Sequence, residues 1–356
     1  MCHADGVTAA TYQGWRATRF IPELDGLRTL SVLLVLTAHS PGMLFKPLNG
    51  RLGVTIFFVI SGLLITTLLL RERDEAGSVS LRGFYIRRAC RIFPLYFLAL
   101  LTFLLAIAAG LAEHAGDLPR RLLHFLTFTN EWAAPGTFGH SWSLGVEEKF
   151  YVAWPLMAFA VPMTNRRPGL VAGGLLTVTT VLGIWRPDDP LGFYSPILAG
   201  CLLGIALHHH RSFEYVMKLA APAPAVLLLG LAVAALLASQ DTGRVDVAFG
   251  ITAAAAVPGL MLGAKPLRAW LRGSSMQFVG RRSYAIYLFH PLVGSAVALV
   301  VTRQDQAWPA IYLALTFAGS LIAADVLYRT VERPLIRLGH RVTRTDQPDR
   351  VAALPA

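Results

Sequence analysis

The sequence predicts an all-α integral membrane protein that crosses the bilayer about ten times, with both termini in the cytoplasm. Three observations predict this fold class: composition, the grouping of apolar residues, and the placement of cationic residues. Hydrophobic residues make up 54% of the 356 residues and charged residues only 15%, whereas soluble chains carry roughly 25% charged residues. The apolar residues form long runs of about 17 residues or more, which is the length that a helix needs to cross the hydrocarbon core.

Eight of these runs are clearly apolar, and two more contain polar residues. The clear runs are 52–70, 92–112, 169–185, 191–207, 219–238, 247–263, 283–301 and 308–328. The polar runs are 27–45 and 142–161, which bring the predicted spans to ten. The apolar stretch 122–128 is too short to span and is expected at an interface or in a re-entrant turn. Small residues within the spans are expected to allow close helix packing; they are Gly173, Gly174, Gly200 and Gly204.

The formal net charge of +11 indicates membrane topology rather than nucleic-acid binding. Most of the 32 Lys and Arg residues fall on one side when the runs are assigned to alternating sides of the membrane. This is the positive-inside pattern, and it predicts that both termini lie in the cytoplasm. The expected location is a bacterial-type plasma (inner) membrane. We therefore expect a cytoplasmic segment over 1–26, a transmembrane domain over 27–330 and a basic cytoplasmic tail over 331–356.

The first span carries two ionisable residues, Arg28 at its inner end and His39 within it. Ionisable groups inside a bilayer are costly, so each is a candidate functional residue. Their separation of eleven residues corresponds to about three helical turns and about 16 Å of rise, which places both side chains on one face at different depths. His39 is thus expected in the outer third of the bilayer.

The fourth span, 142–161, carries a second polar stripe. Ser143 and Glu147 are one helical turn apart, His140 precedes them, and Glu148 lies on the flank. The rise per residue places Glu147 at a depth similar to that of His39. A carboxylate beside an imidazole fixes its tautomer and raises its basicity, so the sequence predicts a histidine–carboxylate pair that acts as a general base.

A cluster of arginines precedes the third span at the inner boundary. Arg87, Arg88 and Arg91 lie there, at the level predicted for Arg28. Several guanidinium groups together favour a polyanionic ligand, because each can bind phosphate through two hydrogen bonds. Two polar sites at different depths indicate one long ligand, with phosphates at the inner side and its reactive end at His39.

Six sequence blocks, in order, resemble the acyltransferase family 3 and together cover about residues 19–338. The blocks are FIPELDGLRTLSVLLVLTAH (20–39), LGVTIFFVISGLLI (52–65), FYIRRACRIFPLYF (84–97), HSWSLGVEEKFYVAWP (140–155), SYAIYLFHPL (283–292) and VERPL (331–335). The resemblance implies a membrane enzyme that moves an acyl group, commonly acetyl, from cytoplasmic acyl-CoA to a hydroxyl of a glycan or small molecule. By position, Arg28 and His39 match the essential pair of the family, with Arg, ten residues, then His. Arg88 and Arg91 match its basic motif.

The leading hypothesis is an acyl-CoA-dependent O-acyltransferase in which His39 is a general base or carries the acyl group transiently. The acceptor is a hydroxyl of a glycan, a glycolipid or a small natural product. The expected partners are acyl-CoA, this acceptor and membrane lipid, with no metal and no nucleic acid. The expected catalytic residues are His39, Glu147, Glu148 and Ser143; those for acyl-CoA are Arg28, Arg87, Arg88 and Arg91; those for the acceptor are His140, Trp142, Tyr151 and His290.

Several alternatives remain open at this stage. The chain could be a transporter or flippase of an anionic lipid or glycan, since ten spans with buried charges suit that class equally on physical grounds. The arginines could be topology anchors, and His39 a hydrogen-bonded core residue. Glu147 and Glu148 could form structural pairs with Lys149 or Arg120. The histidines 208–210 could bind a metal, although a solvated helix end is favoured.

Overall fold

The computed structural model describes residues 11–42, 44–48, 50–110, 118–132, 136–187, 189–238, 243–263, 265–301 and 308–344. Within these ranges the chain is helical and contains no β-strand. The α-helices are α1 Tyr12–Ala17, α2 Pro22–Ala38, α3 Arg51–Ala76, α4 Leu81–Ala108, α5 Leu118–Leu126, α6 Trp142–Pro155, α7 Pro162–Asn165, α8 Pro168–Trp185, α9 Tyr194–His208, α10 His210–Leu219, α11 Pro222–Ala238, α12 Gly243–Leu262, α13 Lys265–Leu271, α14 Ser274–Gly280, α15 Ser283–Val300, α16 Trp308–Leu327 and α17 Arg333–Arg344.

Within the described residues, six helical segments are long and apolar enough to cross a membrane, and up to eight if two bent pairs each count as one span. The six are Leu52–Ala76, Leu81–Ala108, Pro168–Trp185, Pro190–His208, Ser283–Val300 and Trp308–Thr343. The bent pairs join α10 to α11 at 71° and α12 to α13 at 94°. The chain is thus an all-α, multi-pass membrane protein, and the count of ten spans stays a prediction.

The two polar spans of the sequence analysis correspond to α2 and α6, which are shorter than predicted. Helix α2 ends at Ala38 rather than near residue 45, so His39 caps the helix instead of lying within it. The sequence Ser40-Pro41-Gly42 explains this end, because a proline disfavours helical geometry in the preceding residue and Gly42 adopts φ 82°. Helix α6 ends at Pro155 and continues as a π-helical turn over Leu156–Ala160.

The described chain divides into two compact units. The first consists of Met1–Gly77 and Met157–Ser283, and the second of Ser78–Leu156 and Tyr284–Ala356. The first unit is built around α3, which packs along α9. Its apolar core includes Leu27, Val59 and Leu63, all buried.

Glycines allow α3 and α9 to approach backbone to backbone. A Cβ on Gly62 would overlap the carbonyl oxygen of Ile197, and a Cβ on Gly200 would overlap that of Val59. The predicted close packing is thus confirmed for Gly200. It is also confirmed for Gly204, where a Cβ would lie 3.1 Å from the carbonyl oxygen of Leu63. It is wrong for the two adjacent glycines of α8, Gly173 and Gly174, where a Cβ would meet nothing within 4 Å.

A polar cluster fixes α1 to the ends of α3 and α9. Arg16 donates to the Asp74 carboxylate at 2.6 Å, and the Nε2 atom of His208 lies 2.9 Å from the same oxygen. The Tyr12 hydroxyl donates to the His208 carbonyl at 2.8 Å. The first histidine of the 208–210 triplet is therefore part of a hydrogen-bonded network with Arg16 and Asp74. Among the described residues, no group of three His, Cys, Asp or Glu side chains is arranged to hold a metal ion.

In the second unit, tyrosine hydroxyls join α4 to α6 and α15. Tyr85 of α4 donates to the Val152 carbonyl of α6 at 2.9 Å, and Tyr284 of α15 donates to the Ile92 carbonyl of α4 at 2.9 Å. Helix α17 lies against α4, where a Cβ on Gly339 would touch the Cys90 side chain. Helix α4 is therefore the common support of this unit.

We predict that Gly62→Ala destabilises the protein by about 1–3 kcal/mol, because the added methyl group forces α3 and α9 apart. The matched control is Gly173→Ala, another helical glycine with open space at its Cβ. This control is expected to be neutral or stabilising by up to about 1 kcal/mol. Thermal unfolding in detergent measures both, and an equal response of the two variants would contradict the tight α3–α9 contact.

Candidate active site

Arg28 is held on α2 by an aspartate one turn earlier. Its Nη1 donates to the Asp25 carboxylate at 3.0 Å, and the two side chains are 18% and 6% exposed. A guanidinium has five N–H donors, and the described part of the chain hydrogen-bonds it through Asp25. Arg28 is therefore oriented while it retains donors for an anionic ligand.

The first turns of α2 are packed tightly against α13 and α14. Glu23 is buried and accepts a hydrogen bond from Nε of Arg268 at 2.6 Å. A Cβ on Gly26 would overlap the Leu271 carbonyl of α13, and Gly280 of α14 approaches the Asp25 carbonyl equally closely. These contacts fix the start of α2. Sequence reasoning missed Glu23 and Asp25 as site residues, although two acids directly before a polar span were a visible signal.

His39 lies at the other end of α2, and its hydrogen bond determines its tautomer. Its Nδ1 is 2.9 Å from the Val35 carbonyl oxygen. Because a carbonyl only accepts, Nδ1 carries the proton, and Nε2 is the basic nitrogen of the neutral ring. The residue is exposed at the helix end. His39 thus caps the helix that carries Arg28, about 16 Å of helical rise away.

The arginines of α4 belong to the second unit, where Arg88 contacts α6. Arg87, Arg88 and Arg91 are all half-buried. The guanidinium of Arg88 lies 5.3 Å from the ring centre of Tyr151, which is consistent with a cation–π contact. Sequence reasoning grouped Arg88 with Arg28 and did not anticipate its contact with α6.

The two glutamates of α6 lie one turn before Tyr151. Glu147 and Glu148 are half-buried. The charges that act on Glu148 are those of Glu147, Arg88 and Lys149. Arg88 of α4 and the carboxylates of α6 are therefore close enough to interact within the second unit.

Lys149 forms its ion pair with a residue that the sequence analysis did not name. Its Nζ is 2.5 Å from the carboxylate of Glu131, whose side chain is completely buried, and it donates to the Phe128 carbonyl. Phe128 and Glu131 belong to the segment between α5 and α6. Gly145 of α6 lies directly against this segment, since a Cβ on Gly145 would be 2.7 Å from Glu131 Oε2. The ion pair of Lys149 and the close approach at Gly145 thus hold this segment against α6, the helix that carries the glutamates.

Ser143 is part of a short chain of hydrogen bonds that ends on the backbone. Its Oγ lies 2.7 Å from the hydroxyl of Tyr287, which in turn donates to the His140 carbonyl. Because the single tyrosine proton goes to that carbonyl, Ser143 is the donor to Tyr287. This arrangement fixes α6 against α15, and the catalytic role expected of Ser143 stays a prediction. Sequence reasoning missed Tyr287, although it lies in the quoted block 283–292.

Two histidines flank Tyr287. His140 Nε2 is 3.2 Å from the Leu288 carbonyl, and the rings of His140 and His290 are 5.5 Å apart. His290 is completely buried, and its Nδ1 donates to the Tyr287 carbonyl at 2.8 Å. That carbonyl lacks its usual helical partner because Pro291 has no N–H. The half-buried Trp142 begins α6 beside this group.

The structure thus brings the predicted residues together in two sets. Arg28 and His39 share α2 in the first unit. In the second unit, Arg88 joins Glu148 and Tyr151, while Ser143, His140 and His290 surround Tyr287. The expected meeting of His39 with Glu147 joins the two units and stays a prediction.

Comparison with known proteins supports the resemblance that the sequence blocks carry. A family model described as an acyltransferase domain matches residues 21–329. The peptidoglycan O-acetyltransferase OatA of Listeria monocytogenes is 26% identical over 359 residues, 90% of this chain and 56% of the relative. The putative peptidoglycan O-acetyltransferase YrhL of Bacillus subtilis is 28% identical over 360 residues, 91% of this chain and 56% of the relative. A putative O-acetyltransferase of Staphylococcus aureus is 25% identical over 367 residues, 91% of this chain and 59% of the relative.

The chain spans a little over half the length of these curated relatives. No solved structure shows significant similarity to it. The family match nevertheless extends over most of the 356 residues and includes α2, α4, α6 and α15. By this match, the chain belongs to the acyltransferase family 3.

Proposed function

We propose that this protein transfers an acyl group, acetyl or another short chain, from cytoplasmic acyl-CoA to a hydroxyl of a cell-envelope glycan. The observation that carries the proposal is helix α2, which carries an oriented guanidinium in its second turn and is capped by an imidazole with a basic Nε2. The names of the relatives support the glycan as acceptor and do not favour the transporter alternative. A glycolipid or a small natural product remains within the same reaction class.

Arg28 and the arginines of α4 are proposed to bind the phosphates of acyl-CoA. Arg28 is pre-oriented by Asp25, so little side-chain entropy is lost when it engages an anion. Arg87 and Arg91 lie one turn apart on α4, a spacing that places them on one helix face. Arg88 supplies a further positive charge beside Tyr151.

His39 is proposed to act through Nε2. As a general base, Nε2 takes the proton of the acceptor hydroxyl while the hydroxyl oxygen attacks the thioester carbonyl; the C–S bond then breaks, and CoA leaves as the thiol with the proton from the imidazolium. In the alternative route, Nε2 attacks the carbonyl first and expels CoA as the thiolate. The acceptor hydroxyl then takes the acyl group from the imidazole, and its proton goes to the thiolate. The Val35 carbonyl already holds Nδ1–H. A carboxylate from Glu147 or Glu148 would therefore engage Nε2 only in the protonated ring, where it stabilises the imidazolium.

The residues around Tyr287 are proposed to hold the acceptor. Ser143 fixes the Tyr287 hydroxyl, and the rings of His140 and His290 lie 5.7 Å and 6.2 Å from the Tyr287 ring. Trp142, which directly precedes Ser143, is proposed to contribute to the same site. We further propose that the chain crosses the plasma membrane ten times, with both termini in the cytoplasm. The ten spans are the eight candidates, with each bent pair counted as one, together with α2 and α6.

We predict that His39→Ala lowers the rate of acyl transfer by about 10²–10⁴-fold, the usual contribution of a general base. The assay measures transfer from radiolabelled acyl-CoA to a glycan acceptor in reconstituted membranes. The matched control is His209→Ala, which removes an exposed histidine at the end of α9 and is expected to keep the wild-type rate. Undiminished transfer by the His39 variant would remove the proposed mechanism.

We predict that Arg28→Lys raises the KM for acyl-CoA about tenfold with a smaller change in kcat. Lysine keeps the charge but loses the planar fork that binds phosphate through two hydrogen bonds. The control is Arg272→Lys, a half-exposed arginine 3.8 Å from Glu23, which is expected to leave the KM unchanged. A fall in kcat at constant KM would contradict a donor-binding role.

A further inference from the structure

Arg121 is a buried arginine that the proposed mechanism does not use. It lies on α5 in the second unit and is 8% exposed. Its Nε and Nη1 atoms are buried and have no hydrogen-bond partner in the described part of the chain. An isolated buried charge is strongly unfavourable unless an opposite charge and hydrogen bonds compensate for it.

In the described part of the chain, a glycine and an aromatic ring lie against the Arg121 guanidinium. The guanidinium lies directly beneath Gly136, where a Cβ would overlap Nη1 and lie 3.1 Å from Cζ. Gly136 itself is exposed, so the guanidinium is covered on this side by backbone without a side chain. On the other side is the ring of Phe125, at 6.0 Å.

Two aromatic rings connect Arg121 with the residues around Tyr287. The Phe125 ring is 5.4 Å from that of Phe138, which is 5.2 Å from the ring of His140. Phe138 adopts a positive φ of 60°, a strained conformation for a non-glycine residue that persists only where the surroundings impose it. The arginine is therefore fixed relative to the set that we propose to hold the acceptor.

We propose that Arg121, beneath Gly136, binds a carboxylate of the acceptor glycan and so selects acidic over neutral acceptors. A guanidinium with unused donors matches a carboxylate or a phosphate oxyanion. The ring contacts that lead from Phe125 through Phe138 to His140 favour the acceptor as the source rather than an anionic lipid headgroup. This inference rests on the proposed function and adds a substrate class to it.

The test compares a soluble glycan fragment that carries a free carboxylate with the same fragment in its amidated, neutral form. With full-length protein in neutral detergent, the carboxylate form is expected to raise the thermal midpoint and the amide is not. Arg121→Gln should abolish this rise without lowering the midpoint of the ligand-free protein, because it removes the cost of burying a charge and keeps a polar side chain. The control Arg186→Gln, at an exposed arginine, should retain the rise.

Transfer kinetics provide the second measurement. Wild-type protein is expected to show a KM about tenfold lower for the carboxylate acceptor than for the amide, and Arg121→Gln should remove this preference while the KM for acyl-CoA stays unchanged. Gly136→Ala, which crowds the guanidinium but keeps its charge, should reduce the preference as well.

The outcomes separate this inference from the proposed function. Equal transfer to both acceptors by the wild type would overturn the Arg121 site and leave the acyltransferase intact. Arg121-dependent binding of the carboxylate without any transfer would support the site and count against the function. A thermal rise that requires anionic lipid in nanodiscs, with none from the glycan carboxylate, would assign Arg121 to lipid and overturn the inference.

Discussion

Two buried carboxylates at the start of α2 are the constraint on which the first set of site residues depends. Glu23 and Asp25 are almost fully buried, and each is paired with an arginine, Arg268 and Arg28 respectively. A buried carboxylate without such a partner would cost several kcal/mol. The cation proposed for acyl-CoA is thus also the counter-ion of an acid in its own helix. These pairs and the close contacts with α13 and α14 fix the position of α2. They thereby also fix His39, which lies about 16 Å of helical rise beyond Arg28.

Backbone carbonyls, rather than carboxylates, orient the histidines of the candidate site. His39 donates to Val35, His140 to Leu288 and His290 to Tyr287. In each case the acceptor is a carbonyl, so the protonated nitrogen of the neutral ring is defined by the fold. The sequence analysis gave Glu147 and Glu148 two functions, to fix the tautomer of His39 and to raise its basicity. The Val35 carbonyl already fixes the tautomer, so interaction with positive charge is the function that we propose for the glutamates. Arg88 provides such a charge within the second unit.

Much of the fold was predictable because its signal is local. Long apolar runs specify membrane helices by length and composition alone, and six of the predicted runs match the segments that are long and apolar enough to span. The early end of α2 was also encoded locally, in Pro41 and Gly42, but the predicted span 27–45 continued past these two residues. Glycine packing was predictable for Gly200 and not for Gly173, because a small residue permits a close approach without specifying a neighbour.

The partners of the site residues could not be predicted in the same way, because they come from distant parts of the chain. Ser143 contacts Tyr287, which is 144 residues away, and Glu23 contacts Arg268 across 245 residues. No regular spacing in the sequence predicts that the residues of either pair meet. Arg121 gave no signal either, since an arginine in a short amphipathic stretch looks solvated until its burial is known.

The central claim is that one ligand extends from the arginines at the cytoplasmic side to His39 nearer the exterior. The most direct measurement uses sealed proteoliposomes of defined orientation, with radiolabelled acyl-CoA on the cytoplasmic face and the glycan acceptor only on the opposite face. The account predicts that label appears on the enclosed acceptor while the vesicles remain impermeable to acyl-CoA. Labelling that occurs only when donor and acceptor share one side would contradict it.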